Sequence, residues 1–222
     1  MSYIEEKFKT PVTIDLQWPI ETERLILRPA LPGDGADVHE AIEETWDELQ
    51  HWMVWAQTRM SEAQVEENIR EAYAQFLKRQ DMRIHGYEKD ENKDDLTGRF
   101  VLSSGIHRFD WHIRRFEVGY WVRQSAQGKG YATEATAALV QYAFNALSAR
   151  HVCIEHADGN DASRRVIEKL GFEKEGVLRG KLVDHRTGDV LDSHVYSLKT
   201  ADHLRAQYDV RWGHLKREGW LC

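Results

Sequence analysis

Apolar residues recur along this chain at two different periods, and those periods mark its elements. RLILRP, residues 24–29, is a short apolar run closed by Pro29 and predicts a strand. Asp34 can cap a helix through about Thr45, with Val38, Ile42 and Thr45 on one face. Ser61 and Gln64 stand at capping-box spacing, ahead of Val65, Ile69, Ala72 and Phe76 at helical intervals. MRIHGYEK (82–89) and LTGRFVLSSGIHRF (96–109) predict two strands of a meander, joined through the charged, solvated run EKDENKDD (88–95). FEVGYWV (116–122) alternates cleanly. Phe116, Val118, Tyr120 and Val122 share one face, and Glu117, Gly119 and Trp121 the other.

A helix is expected from about Thr133 to Leu147, with Leu139, Val140, Ala143, Phe144 and Leu147 as its stripe. HVCIEHA (151–157) predicts a further strand. Asp158, Asn160 and Asp161 offer caps for a short helix that Gly171 ends. Two strand-like runs between 176 and 200 flank the turn HRTGD, and residues 201–222 begin helical and end irregular. Strands and helices mix without strict βαβ alternation, which predicts an α+β domain over residues 21–200. Residues 1–20 and 201–222 are then an N-terminal and a helical C-terminal extension.

The composition is ordinary for a globular chain: 222 residues, 41% hydrophobic and 30% charged. The net charge of −7 argues against a broad nucleic-acid footprint. No apolar run approaches a membrane span, and the N-terminus has no apolar signal region. Two cysteines, Cys153 and Cys222, do not make a disulfide framework, so a reducing cytoplasm is the default.

The stretch QSAQGKGYATEA (124–135) changes the picture. Strand, glycine loop, helix is a cradle for phosphate, because a helix N-terminus carries unpaired N–H groups and the positive end of the dipole. It is not a Walker A loop, since Gly130 follows Lys129. It is a poor dinucleotide fingerprint, since Thr133 stands where the third glycine would be. A glycine turn without a ligand remains open on the loop alone.

Taken with its surroundings, the loop Gln127-Gly128-Lys129-Gly130-Tyr131-Ala132 resembles the Q/R-x-x-G-x-G/A motif of the GNAT superfamily of acetyl-CoA-dependent N-acetyltransferases. The resemblance is closest to the RimJ/RimL type, which acetylates ribosomal-protein N-termini. It is carried by ETERLILRP, HWMVWA, GIHRFDW, RFEVGYWV, GKGYATEA, the Asn160–Ser163 pair in GNDAS, and EKLGFEKEGVLRG, in the family's order over roughly residues 20–200. Gln124 departs from the pattern, standing where relatives often have proline.

The resemblance implies a twisted, mostly antiparallel mixed sheet, flanked by helices and splayed at its centre, with acetyl-CoA in the opening. The pantetheine arm would pair with the backbone of Tyr120, Trp121 and Val122. The pyrophosphate would sit on the amides from Gln127 through Ala132, with Thr133 in the same helical turn. Gly119 in mid-strand fits a bulge or a close backbone approach. Asn160 would touch the pantetheine. Transfer from thioester to amine would proceed directly in a ternary complex, with Glu117 as general base and Ser163 as general acid. A backbone N–H near Val122 would face the oxyanion. Relatives that use a tyrosine acid are common, yet no tyrosine stands just past Ser163. Equally open are a salt bridge from Glu117 to Arg114, Arg115 or another cation, and a helix first-turn role for Ser163.

Trp52 and Trp55, near Trp46, would border the acceptor pocket or simply fill the core. His107 with His112, and His151 with His156, are spaced by five and do not make a metal set, so no metal is expected. Cys153 reads as a small hydrophobe within a strand, the alternative being a thiol that meets the CoA sulfur. Asp184 and His185 lie in a late loop, as turn residues or near the acceptor. Trp220 and Leu221 need a covering surface, on the domain or across a homodimer. The acceptor would be an amine: a ribosomal protein or peptide N-terminus, or a small molecule such as an amino acid, an aminoglycoside or a peptide antibiotic. A non-catalytic acyl-CoA sensor and a degenerate interaction domain are the other classes. The intact cradle weighs against the last.

Overall fold

The computed structural model describes residues 10–93 and 97–213. After a short 3-10 turn, β1 (Ile20–Glu21) and β2 (Leu25–Pro29) lead into helices α1 (Gly35–Trp52) and α2 (Glu62–Leu77). The strands β3 (Met82–Lys89), β4 (Thr97–Asp110) and β5 (Arg115–Val122) form the meander. Helix α3 (Tyr131–Asn145), β6 (His151–Ala157) and α4 (Asp161–Lys169) follow. The chain closes with β7 (Glu173–Val183), β8 (Val190–Leu198), α5 (Asp202–Arg205) and β9 (Arg211–Trp212). The expected α+β architecture is what the structure shows.

Among the described residues nine strands join one open sheet in the order β7-β8-β6-β5-β4-β3-β2-β1-β9. Every neighbouring pair is antiparallel except β5 and β6. That parallel pair is in register only at Arg115↔His151, Phe116↔Val152 and Glu117↔Cys153. Beyond Glu117 the two strands separate, and the separation is the central splay.

Two apolar clusters pack the two faces. Helix α3 buries Leu139, Val140, Tyr142 and Ala143 against Phe116, Val118 and Ile154. Helices α1 and α2 bury Ile42, Trp46, Leu49, Val65 and Ile69 against Tyr87 and Phe100 on the other face. Helix α1 continues past Thr45 to Trp52 because Trp46 and Leu49 extend its buried stripe. Asp34 stands at its N-cap position but makes no capping bond. Its carboxylate instead accepts from Arg28, from the Leu31 N–H and from His85. The capping box of Ser61 and Gln64 forms as expected.

The flanking stretches share this core. Ile14, Leu16 and Trp18 are buried within it, and β9 pairs with β1 through Ile20↔Trp212. The expected C-terminal helix is confined to α5 before the chain extends into β9. Trp220 and Leu221 lie outside the described residues. No described helix is long and apolar enough to cross a membrane.

Candidate active site

The splay forms an opening of about 660 Å³, walled by β5 and β6, the loop before α3, α4 and the end of α1. Its chemistry follows from four local structures.

The first is the glycine loop. Gly128 and Gly130 have φ of +73° and +86°, the left-handed region that side chains with a Cβ adopt only with strain. Gly130 is the N-cap of α3 and supplies no capping side chain. Among the described residues, the first-turn amides of Tyr131, Ala132 and Thr133 find no acceptor. A Cβ built on Gly128 meets nothing within 4 Å, so the loop is open at that turn. The cradle therefore fits an anion. Arg24 steadies the loop by donating to the Lys129 carbonyl and to Glu134. Gln127 donates to Glu48 and, at 3.3 Å, to the Val122 carbonyl, which ties the loop to α1 and β5. Of the loop residues from Gln127 to Thr133, Lys129 alone does not line the opening. Its amine lies 3.6 Å from Glu88.

The second is the free edge of β5. The Arg123 N–H donates to Val101 and the Gly119 carbonyl accepts from Ser104, so odd-numbered residues turn their backbone groups toward β4. Alternation turns those of Tyr120 and Val122 toward the opening, where β6 has moved away. Gly119 pairs with Gly105 without a register shift, so no bulge occurs there.

The third is a charged cluster on the face of β5 that looks toward α1. A bulge sets Arg108 and Phe109 of β4 against Phe116 alone, between the pairs His107↔Glu117 and Asp110↔Arg115. It aims Arg108, at φ +47°, onto the Glu117 carboxylate at 2.9 Å. The ion pair expected as an alternative for Glu117 thus exists, with Arg108 as its cation. Burial nevertheless pushes the Glu117 carboxyl above its ordinary range, with Arg108 pulling back and Glu155 adding repulsion. Glu155 behaves oppositely. Burial is outweighed there by Lys181 at 2.5 Å and the Ser193 hydroxyl at 2.8 Å, and its carboxyl is held low.

The fourth lies on the other face. The Tyr120 hydroxyl is 3.2 Å from the Ser163 hydroxyl, and burial pushes the phenol up to about 12. A tyrosine hydroxyl thus stands beside Ser163, brought there from across the splay rather than from the following residues of the chain. Asn160 accepts from the Ser163 N–H at 3.0 Å and so caps α4, while also lining the opening. His156, also on the wall, donates from Nδ1 to the Ala157 carbonyl and leaves Nε2 buried without a partner among the described residues.

The tryptophans divide. Trp46 is core. Trp52 and Trp121 line the opening, and Trp55 lies beside Trp121 with ring centroids 6.4 Å apart. The β7–β8 loop docks on the end of α1. His51 donates to Asp184 at 2.6 Å, and the His185 N–H donates to the Gln50 carbonyl. Cys153 is buried, donates to the Phe116 carbonyl and does not line the opening, and burial pushes its thiol to about 11. His107 and His151 are paired with Asp81 and Glu175. Among the described residues, no His, Cys, Asp or Glu group of three or more gathers to hold a metal.

Sequence reasoning missed Arg108, Glu155 and the Tyr120 hydroxyl. Each acts through a contact between strands or across the splay, which no local spacing records.

An anion cradle, a free strand edge and a half-buried carboxylate converge on one opening, an arrangement that suits group transfer from an anionic cosubstrate. The sequence model of the Acetyltransferase (GNAT) domain matches residues 24–173. The chain belongs to the GNAT acetyltransferase family and is an acetyltransferase. Among its relatives is the Bacillus subtilis (strain 168) protein described as "Putative ribosomal N-acetyltransferase YdaF", 31% identical over 160 residues, covering 72% of this chain and 84% of that protein. The fold is shared with RimL, the ribosomal L7/L12 alpha-N-protein acetyltransferase, solved in complex with coenzyme A. The TM-score is 0.72 at 18% identity, over 82% of this chain and 99% of that one. It is also shared with the microcin C7 self immunity acetyltransferase MccE, solved with acetyl-CoA and AMP. There the TM-score is 0.71 at 17% identity, over 80% and 93% of the two chains.

Proposed function

We propose that this enzyme transfers the acetyl group of acetyl-CoA to the primary amine of a protein or peptide N-terminus. The observation that carries this reading is that the unpaired amides of α3, the free edge of β5 and the Glu117 carboxylate all meet one opening. The description of YdaF as a ribosomal N-acetyltransferase supports a polypeptide acceptor. So does the aromatic wall of Trp52, Trp121 and Trp55, open to solvent at Trp55.

In this account acetyl-CoA supplies an activated thioester. The amides of Tyr131, Ala132 and Thr133, with Gly128 and Gly130, hold its pyrophosphate. Backbone groups of Tyr120 and Val122 hold the pantetheine arm as an added strand would be held, with Asn160 beside it. Glu117 accepts a proton from the incoming ammonium, whose freed lone pair then forms the new C–N bond. Arg108 must swing aside for this step, and its side chain, 62% exposed, is free to do so. As the C–S bond breaks, the attacking nitrogen gives up its second proton to water, the hydroxyl pair of Ser163 and Tyr120 passes a proton drawn from water to the sulfur, and Glu117 returns its own proton to solvent. The products are an amide and a thiol.

Thiol release with acetyl-CoA and short peptides tests this. Unblocked peptides should support turnover and their N-blocked counterparts should not. Equal rates with both, or turnover only with small amines, would overturn the polypeptide reading.

A further inference from the structure

Two strands that part beside Glu117 leave room there for a single cation. β5 and β6 run in register as far as Glu117↔Cys153 and then separate. Residues paired across a ladder share a face, and the next residue of β6 on that face is Glu155, two positions past Cys153. Glu117 and Glu155 therefore flank the start of the splay, and both line the opening. The next residue of β5 on the same face is Gly119, which brings no side chain. A Cβ built on it meets only the edge of the His107 ring, at 3.9 Å. The end of Arg108 reaches both carboxylates. One guanidinium nitrogen, Nη1, lies 2.9 Å from Glu117 Oε2 and 3.7 Å from Glu155 Oε1. The side chain that delivers it is largely exposed, so water screens the contact and holds it weakly. Lys181 meets both oxygens of Glu155, but it reaches them from β7 and does not line the opening.

We propose that Arg108 Nη1 marks the seat of the acceptor ammonium, and that Glu155 is the second carboxylate that holds the acceptor there. This inference rests on the amine-acceptor reading above and names what positions the amine. An ammonium nitrogen at that point displaces the guanidinium and donates one N–H to Glu117 and another to Glu155. The two carboxylates then take different parts. Burial pushes Glu117 up, which suits it to accept the proton that the nitrogen must lose. At Glu155 burial is outweighed by Lys181 and Ser193, so that carboxylate stays ionised and keeps its N–H in a hydrogen bond. With one N–H fixed, the lone pair freed on the nitrogen is held in one direction instead of turning about the bond to its carbon. Glu155 neither gains nor loses a proton. Arg108 is a placeholder: it neutralises the two carboxylates while the seat is empty and competes with the acceptor for it. A seat between two carboxylates selects a cationic amine over a neutral, blocked one.

The test is steady-state thiol release by the full chain at neutral pH with a short unblocked peptide, beside calorimetric titration with acetyl-CoA. Glu155→Gln keeps the shape of the side chain and an acceptor for Lys181 and Ser193, and removes the charge. It should raise KM for the peptide about tenfold or more and leave acetyl-CoA affinity unchanged. Arg108→Ala vacates the seat and should lower KM for the peptide about threefold, the worth of one exposed ion pair. An unchanged peptide KM in Glu155→Gln overturns the seat. A loss spread equally over peptide and acetyl-CoA also overturns it, since that marks a purely structural role. A peptide KM that stays or rises in Arg108→Ala overturns the placeholder, and this exposed position decides the matter even where Glu155→Gln does not fold. In each of these cases turnover of the peptide by the unaltered enzyme leaves the polypeptide reading standing. No turnover of any unblocked peptide by the unaltered enzyme sinks that reading and the seat with it.

Discussion

Arg108 donates a 2.9 Å hydrogen bond to Glu117, yet the Glu117 carboxyl titrates above its ordinary value rather than below it. The two side chains differ in exposure, 62% for Arg108 against 18% for Glu117. Water screens the exposed guanidinium, while the carboxylate bears its own loss of hydration and the charge of Glu155. A carboxylate that is partly desolvated and held by a removable cation suits a general base.

Glu117→Gln should therefore lower kcat by roughly 10²- to 10⁴-fold while leaving acetyl-CoA affinity unchanged. Activity requires the ionised carboxylate, so kcat/KM should rise with pH, with a midpoint above the ordinary 4.5. Arg108→Ala removes the strongest of the neighbouring cations that lower this value, ahead of Lys181 and His107, and should move the midpoint further up. Thiol release measured across pH checks both shifts, and normal turnover by Glu117→Gln at neutral pH would refute the assignment.

Tyr120 remains protonated at neutral pH, since burial pushes it to about 12, and its hydroxyl touches Ser163. Tyr120→Phe should reduce kcat by about 10²-fold, and adding Ser163→Ala should cost little more, because the two hydroxyls act as one unit. Steady-state turnover of the two single variants and the double variant decides it. Independent, multiplying losses would mean that they do not form a relay.

Gly130→Ala forces a Cβ into the left-handed region at φ +86°, with Arg24 at 3.4 Å from it. The strain costs about 1 kcal/mol of stability. Displacement of the first-turn amides should weaken acetyl-CoA binding by more than the same change in thermal stability predicts. Comparing Tm with calorimetric affinity separates the two effects.

The β7–β8 loop is pinned to α1 through Asp184. Burial opposes its ionisation, but the Arg186 N–H and the His51 ring prevail and hold the carboxyl down to about 2. A lowered folded value means that this stabilisation is full above the ordinary 3.8 and is lost as pH falls toward 2. Asp184→Asn should lower Tm at neutral pH and flatten the acid side of the Tm profile. An unchanged acid limb would show that the contact contributes nothing.

What could be read from the chain was what is decided locally. The alternation of FEVGYWV, the Ser61–Gln64 capping box and the positive-φ demand at Gly128 and Gly130 each depend on a few consecutive residues. The family resemblance supplied the splay, which no periodicity encodes. The contacts that arm the site are non-local. Arg108 reaches Glu117 only through a bulge, Tyr120 meets Ser163 only because β5 faces α4, and Asp184 finds His51 from 133 residues away. The end of α1 was misjudged for the same reason, since Trp46 and Leu49 extend it by packing on the sheet.

Titration of the purified protein with acetyl-CoA, with NADH as a control, tests the central claim most directly. Saturable binding with a Kd in the micromolar range, absent for NADH and weakened by Gly130→Ala, is the predicted result. Folded protein that takes up no acetyl-CoA would contradict the account at its root.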